Sequence, residues 1–312
     1  MIIIRDFLRI DQKRLLKTIN FILKEHSKIH NLQELLQSFI NTKSSFPFAQ
    51  LCYLHHHAFN GIDEEDCYML AAAIELWILS LDMFDDFEDV DNFDEPWMKL
   101  EQGIGLNCAT FLFSLSHSVI SSLKSPYKLQ ILSSFQNFSM QAMRGQHLEL
   151  SKKIKTEEEC LKMIKWKSGS LTALSAISGL LLANGDIVEE VLDYSYQIGI
   201  SAQIHNDYEG LFSKNKEDGK SDKPSLTYLY IMNHFNEECI ELQQYMESNK
   251  SYEDFFGSEH AFKQKLYDSG VISYLNVMKH IALQKAKMKI KKLPLPDHDK
   301  EKILSYLITN LV

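Results

Sequence analysis

The sequence predicts an all-α fold, one large bundle of about ten or more helices, and three observations predict it. Apolar residues recur at three- and four-residue spacing along almost the whole chain. Six prolines and twelve glycines in 312 residues are too few for the frequent turns of a many-stranded β fold. The chain is 45% hydrophobic, which allows a sizeable core. No repeat, low-complexity tract or Gly/Ser linker interrupts it, so residues 1–312 read as a single domain.

From the N-terminus, 12–40 and 48–59 read as amphipathic or buried helices, the second closing at Phe59-Asn60-Gly61. Asp63 then caps a helix over 64–90. A helix over 106–123 stops before Ser125-Pro126, and another runs over 127–151. The run 157–183 ends at Asn184-Gly185-Asp186, ahead of 187–212. Helices over 225–247 and 260–290 follow, and Leu293-Pro294-Leu295-Pro296-Asp297 separates the last from 299–311. Residues 69–81 and 171–183 are apolar nearly all round, as in helices surrounded by others. The small residues of 171–183 fit either a cavity beside that helix or, more simply, tight packing.

A net charge of −9 disfavours nucleic acid as a partner. KAKMKIKK (285–292) reads as the solvated face of a helix. Five well-separated cysteines without a CxxC pair suit reduced thiols in cytosol. The first residues lack the apolar stretch of a signal peptide, and LTALSAISGLLLANG is too short to span a bilayer. The expectation is a cytoplasmic protein with no membrane span. His55-His56-His57 point three ways on a helix and read as a packing cluster, not a ligand set.

Residues 81–95, LDMFDDFEDVDNFDE, hold eight carboxylates and no Lys or Arg. On a helix, Asp82, Asp85, Asp86 and Asp89 share one broad face. Two carboxylates about 5.5 Å apart repel by roughly 3 kcal/mol at an effective dielectric near 20. The run also lies at a helix C-terminus, whose dipole prefers cations. An exposed acidic helix end and a divalent-metal site both fit. The apolar helix that leads into the run and the interleaved Phe84, Phe87 and Phe93 favour the metal, with hard oxygens suited to Mg²⁺. MRGQHLEL (143–150), KWKSGSLTAL (165–174) and AQIHNDYEG (202–210), followed by a basic loop, add the amides and lysines that a diphosphate site uses.

In this order the motifs resemble the trans-isoprenyl diphosphate synthase superfamily along nearly the whole chain. Asp85-Asp86-Phe87-Glu88-Asp89 resembles DDxxD, with Glu75 upstream in AAxEL; Gly145-Gln146 with Glu149 resembles GQxxD; Lys167-Ser168-Gly169 resembles KTG. Gly199, Gln203 and Asn206-Asp207 fall on GxxxQIxDDxxD, and Lys220 and Lys223 on the lysine positions that follow. The resemblance implies a helical bundle around a deep apolar pocket. At its mouth Mg²⁺ ions would bridge two aspartate-rich motifs to an allylic diphosphate. Asp85 and Asp89 would hold metal, Asp86 would support them or bind through water, and Lys167, Lys220 and Lys223 would bind diphosphate. Gln146 and Gln203 would orient groups at the mouth. Relatives of this kind are homodimers through helices that here fall near 106–150.

Two departures narrow the function. Where the family binds a second diphosphate through GGKRxRP, this chain has NTKSSFP (41–47): Lys43 and Pro47 remain, but Ser44 and Phe46 replace the arginines. A dianionic acceptor has lost its bidentate partners. The second metal motif is reduced to NDYEG, leaving Asn206 and Asp207 as candidate ligands. This combination, with EPWMK (95–99), GQH (145–147), KSGSL (167–171) and LTYLY (226–230), resembles the ComQ-type tryptophan prenyltransferases. That resemblance implies geranyl or farnesyl diphosphate as donor and a tryptophan of a ComX-like pheromone precursor peptide as acceptor, in quorum sensing and competence. A class I terpene cyclase, a trans-prenyl diphosphate synthase and an inactive regulatory subunit are the rival readings. Leu81 and Ser80, just before the first motif, leave donor length open.

Overall fold

The computed structural model describes residues 9–210, 224–248 and 250–310. Among the described residues every regular element is a helix, as the periodicity predicts. In chain order these are α1 (Gln12–Ser27), α2 (His30–Thr42), α3 (Pro47–Ala58), α4 (Glu64–Asp89), α5 (Gln102–Ser121), α6 (Lys128–Leu150) and α7 (Glu157–Ile164). A π-helical turn (Lys165–Gly169) leads into α8 (Ser170–Asn184), followed by α9 (Glu189–Gly210) and α10 (Leu226–Asn233). The chain closes with α11 (Glu237–Glu247), α12 (Tyr252–Phe256), α13 (Glu259–Asp268), α14 (Val271–Ile290) and α15 (Asp297–Asn310).

Four expected helices are divided. The run 12–40 breaks at Lys28, which takes a left-handed φ of 54° and ends α1. The run 157–183 is interrupted by the π turn at 165–169. The run 225–247 breaks at His234, where the backbone is extended and Asn236 then caps α11 through Cys239 N. The run 260–290 breaks at Gly270, φ 87°. The short helix α12 lies between the expected helices 225–247 and 260–290; Ser251 caps it and Gly257, φ 80°, ends it.

Helix α4 is the spine. Asp63 caps it by accepting from Asp66 N, and residues Leu70 to Ser80 are all buried. Asp66 in turn accepts from the backbone of Lys124 and Ser125, tying the start of α4 to the α5–α6 turn. Helices α5, α3 and α1 pack on α4, while α8 lies between α3, α6 and α9, and α14 runs along α9. Trp77 of α4, wholly buried, meets Phe135 of α6 edge-on at 5.2 Å, and His117 of α5 completes the aromatic contact. A smaller aromatic core, including Tyr245 and Phe262, joins α10, α11, α13 and α14, so the aromatics of 252–262 serve packing.

Among the described residues, two helices are apolar enough by length and composition to cross a membrane: α4, whose apolar window is 78% buried, and α5, at 44%. The first is the core helix of the bundle. The second leaves Ile104 and Leu106 exposed.

The small residues of α8 bring helices together. A Cβ on Gly179 would lie 2.1 Å from the Cys52 carbonyl oxygen of α3, so the tight-packing reading of this segment holds there. The histidine cluster is also packing. His55 bonds the Leu51 carbonyl and the Tyr194 hydroxyl, His57 faces Glu64 at 2.9 Å, and His56 lies against Gly61. Burial pushes His55 and His56 down to about 4, so both are neutral at physiological pH. Gly179→Ala is expected to lower stability by about 1–3 kcal/mol through overpacking against backbone. Urea denaturation of the variant beside the parent checks this, with an unchanged midpoint counting against the close approach.

Candidate active site

The C-terminal end of α4 presents Asp85 and Asp89 to the C-terminal end of α6. Ligand oxygens of Asp85, Asp89 and Glu149 all lie within 4.8 Å of one another. Lys167, carried by the π turn, enters this group: its Nζ is 2.9 Å from Asp85 Oδ1 and also bonds Glu149 Oε2. Burial works against the lysine's charge, but Asp85 and Glu149 outweigh it and raise its pKa. Removing the ammonium would leave two poorly solvated carboxylates facing each other. The expected self-repulsion of the acidic run is therefore relieved in part by Lys167 from a distant segment.

The local backbone explains why Lys167 reaches in. A π turn inserts one residue into a helical run and rotates the side chains around it. It needs close neighbours, and glycines supply them: a Cβ on Gly145 would sit 2.2 Å from Lys167 N, and one on Gly199 2.5 Å from Gly169 Cα. Glu149, to which the sequence reading attached no role, follows Gln146 by three residues at the end of α6. That spacing was its only signal.

Asp86 points elsewhere. It is 5% exposed, and its two oxygens accept from Asn92 Nδ2 at 2.6 Å and Trp97 Nε1 at 2.7 Å. Burial pushes its carboxyl up to about 6 against those hydrogen bonds. Asp86 thus latches the turn after α4, where Val90 (φ 55°) and Asn92 (φ 50°) take left-handed backbone that is costly for a β-branched residue. Trp97 also packs edge-on to Phe39 of α2 at 5.7 Å, so the latch joins α2 to the motif.

On α9, Gln203 bridges two elements. Its Oε1 accepts from Ser168 Oγ at 2.6 Å and its Nε2 donates to Asp207 Oδ1 at 2.9 Å. Asn206 is exposed, and Asp207 is not part of the close trio of Asp85, Asp89 and Glu149. The amide atoms of Gln146 are shut off from solvent and have no hydrogen-bond partner among the described residues. Lys220 and Lys223 lie outside the described residues.

The acceptor side is built differently. Lys43, at the end of α2, pairs with Asp82 at 2.8 Å. Burial opposes its charge, and Asp82 more than compensates, so its pKa is raised. Phe46 is 3% exposed at the start of α3 and supplies no side-chain cap. The cap comes from α4 instead: buried Glu75 accepts from Ala49 N at 2.7 Å. Burial pushes Glu75 up to about 7 despite the opposing pull of Lys43.

Three clustered carboxylates with hard oxygens fit a divalent cation, and Lys167 marks where positive charge is favoured. The carboxylate cluster and its lysine lie together on the α4, α6 and π-turn segments of an all-helical bundle. The polyprenyl synthetase family model matches residues 29–259, and the chain belongs to that family. Geranylgeranyl pyrophosphate synthase from Corynebacterium glutamicum, solved with isoprenyl diphosphate and magnesium, shares the fold at a TM-score of 0.80 and 14% identity, over 95% of this chain and 96% of that one. More specifically, the chain is 40% identical to the tryptophan prenyltransferase ComQ of Bacillus subtilis subsp. natto, covering 97% of this chain and 94% of that protein. It is 37% identical to ComQ of Bacillus subtilis strain 168, covering 92% and 96%. It is a prenyltransferase of the ComQ type.

Glu75 generates a testable stability effect. A carboxylate raised from 4.5 to about 7 on folding binds its proton more tightly when folded. Its contribution is therefore complete below pH 4.5 and is lost as pH rises to about 7, at up to about 1.4 kcal/mol per pH unit. Glu75→Gln keeps an acceptor for Ala49 N and removes the titration. Relative to the parent, it is expected to gain about 1–3 kcal/mol between pH 4.5 and pH 8. His55, His56 and Asp86 titrate in both proteins and cancel in the difference. Urea melts at the two pH values decide, a pH-independent difference counting against the assignment.

Proposed function

We propose that the chain transfers a geranyl or farnesyl group from its diphosphate to indole C3 of a tryptophan in a pheromone precursor peptide, as part of quorum-sensing and competence signalling. The observation that carries this reading is an asymmetry across the mouth. The donor side keeps Lys167 among Asp85, Asp89 and Glu149. On the acceptor side the remaining lysine is paired with Asp82 and Phe46 is buried where an arginine would bind a second diphosphate. An indole is electron-rich and needs no diphosphate to be held. The names of the ComQ relatives support the same acceptor.

On this reading Asp85, Asp89 and Glu149, together with Asn206 and Asp207, would hold Mg²⁺, which would supply charge neutralisation for the departing diphosphate. Lys167, Lys220 and Lys223 donate to diphosphate oxygens as the allylic carbon–oxygen bond breaks. Asp86 keeps α4 and its following turn in register. Gln203, held by Ser168, orients Asp207, and the unpaired amide of Gln146 faces polar or cationic character in the bound donor. The chain works as one domain, in the cytoplasm, without a membrane span. It forms a homodimer through α5 and α6, where Ile104, Leu106, Met140 and Met143 are exposed.

The test is incubation with Mg²⁺, geranyl or farnesyl diphosphate and a tryptophan peptide, followed by mass spectrometry. One prenyl group is expected on the peptide, none when phenylalanine replaces the tryptophan, and no elongation with isopentenyl diphosphate. Efficient condensation of isopentenyl diphosphate would show an ordinary synthase. Asp85→Asn and Asp89→Asn are each expected to cut transfer by about a hundredfold or more with helical circular dichroism retained. For the assembly, sedimentation at micromolar concentration is expected to show a dimer, and a strict monomer would count against it.

A further inference from the structure

The Lys43–Asp82 pair is not absorbed by donor binding. Asp82 lies three residues before Asp85 and four before Asp86 on α4, so its side chain occupies the strip between the donor carboxylates and the latch. It lies seven residues after Glu75, hence above it on the same face. Its side chain is 46% exposed, while Lys43, which holds it from the end of α2, is 19% exposed. A carboxylate is thus fixed at the border of the two halves of the mouth, with one face open.

We propose that Asp82, oriented by Lys43 and set between Asp85 and the altered acceptor loop, accepts the indole N–H proton of the acceptor tryptophan. This rests on the proposed transfer to tryptophan. When indole C3 attacks the allylic carbon, the carbon–oxygen bond to diphosphate breaks and the C3–carbon bond forms. The ring nitrogen then carries positive charge. Loss of its proton to a carboxylate oxygen of Asp82 leaves a neutral 3H-indole and a protonated Asp82, so charge and atoms balance without a further reagent. Before the attack, a hydrogen bond from N–H to Asp82 raises the electron density at C3 and selects an N–H heteroaromatic over a phenyl ring. Lys43 fits this role: bound to Asp82, it positions the carboxylate and does not attract a second diphosphate. Glu75 is less suited, being wholly buried and bonded to Ala49 N.

The experiment measures, with farnesyl or geranyl diphosphate, Mg²⁺ and a tryptophan peptide, the ratio of prenylated peptide to diphosphate released. In Asp82→Asn the ratio is expected to fall about a hundredfold, the size of a lost general base, with prenyl alcohol appearing instead. Asp82→Glu is expected to restore most of it, and Lys43→Met to lower it less than Asp82→Asn does. A merely structural role would lower both products together and leave the ratio unmoved. Asp82→Asn with an unchanged ratio, or with no diphosphate release at all, overturns the assignment, as does a larger fall in Lys43→Met. If the parent releases diphosphate but never modifies the peptide, the transfer reading itself fails and this inference with it.

Discussion

The meeting of Lys167 with Asp85 and Glu149 is the contact on which the mouth of this bundle depends. A buried, nearly continuous apolar helix delivers carboxylates to one place, and burial makes their mutual repulsion expensive. A lysine from a segment some eighty residues later (167 against 85) offsets part of that cost. The close contacts at Gly145, Gly169 and Gly199 surround the segment that delivers it. At Gly145 of α6 and Gly199 of α9 the helices approach the π turn so closely that even a Cβ would meet its backbone.

Around this clamp α4 sorts its carboxylates by angle. Asp85 and Asp89 face α6, Asp86 turns to Asn92 and Trp97, Asp82 meets Lys43, and Glu75 caps α3. The acidic run, uniform in the sequence, is thus divided among a clamp, a latch and an ion pair, while Glu75 earlier on the same helix serves as a cap. The division follows from the 100° step of the helix and from which neighbour each side offers. It also couples the halves of the site mechanically, since α2 contacts α4 through both Lys43 and Trp97.

Much of this was legible in the sequence. The helical class and the core helix ending in acids follow from periodicity and residue chemistry, whereas the role of Lys167 and the altered acceptor loop follow from the family resemblance. The cleaner failures have physical reasons. Lys28 ends α1 in a left-handed conformation that nothing in a lysine advertises. The π turn preserves an apolar helical pattern while shifting it by one residue, so a period count passes over it. In the sequence Glu149 stands in a motif without a role, because its partner, Lys167, is close only in space. Asp86 was read with its motif neighbours because spacing tells which face a side chain occupies but not that Trp97, eleven residues on, will fold back to meet it.

The π turn carries a consequence for how such a site can change. An ordinary substitution alters what one position offers; loss of one residue other than Lys167 within 165–169 would restore a regular helix and keep the chemistry of every side chain that remains. Residues on one side of the deletion would then rotate by about 100° relative to the other. Chain length, in this short segment, is itself a determinant of where the lysine's charge resides. The site is therefore open to revision by a single codon gained or lost, a route by which a bundle can exchange one polar lining for another without rebuilding its core.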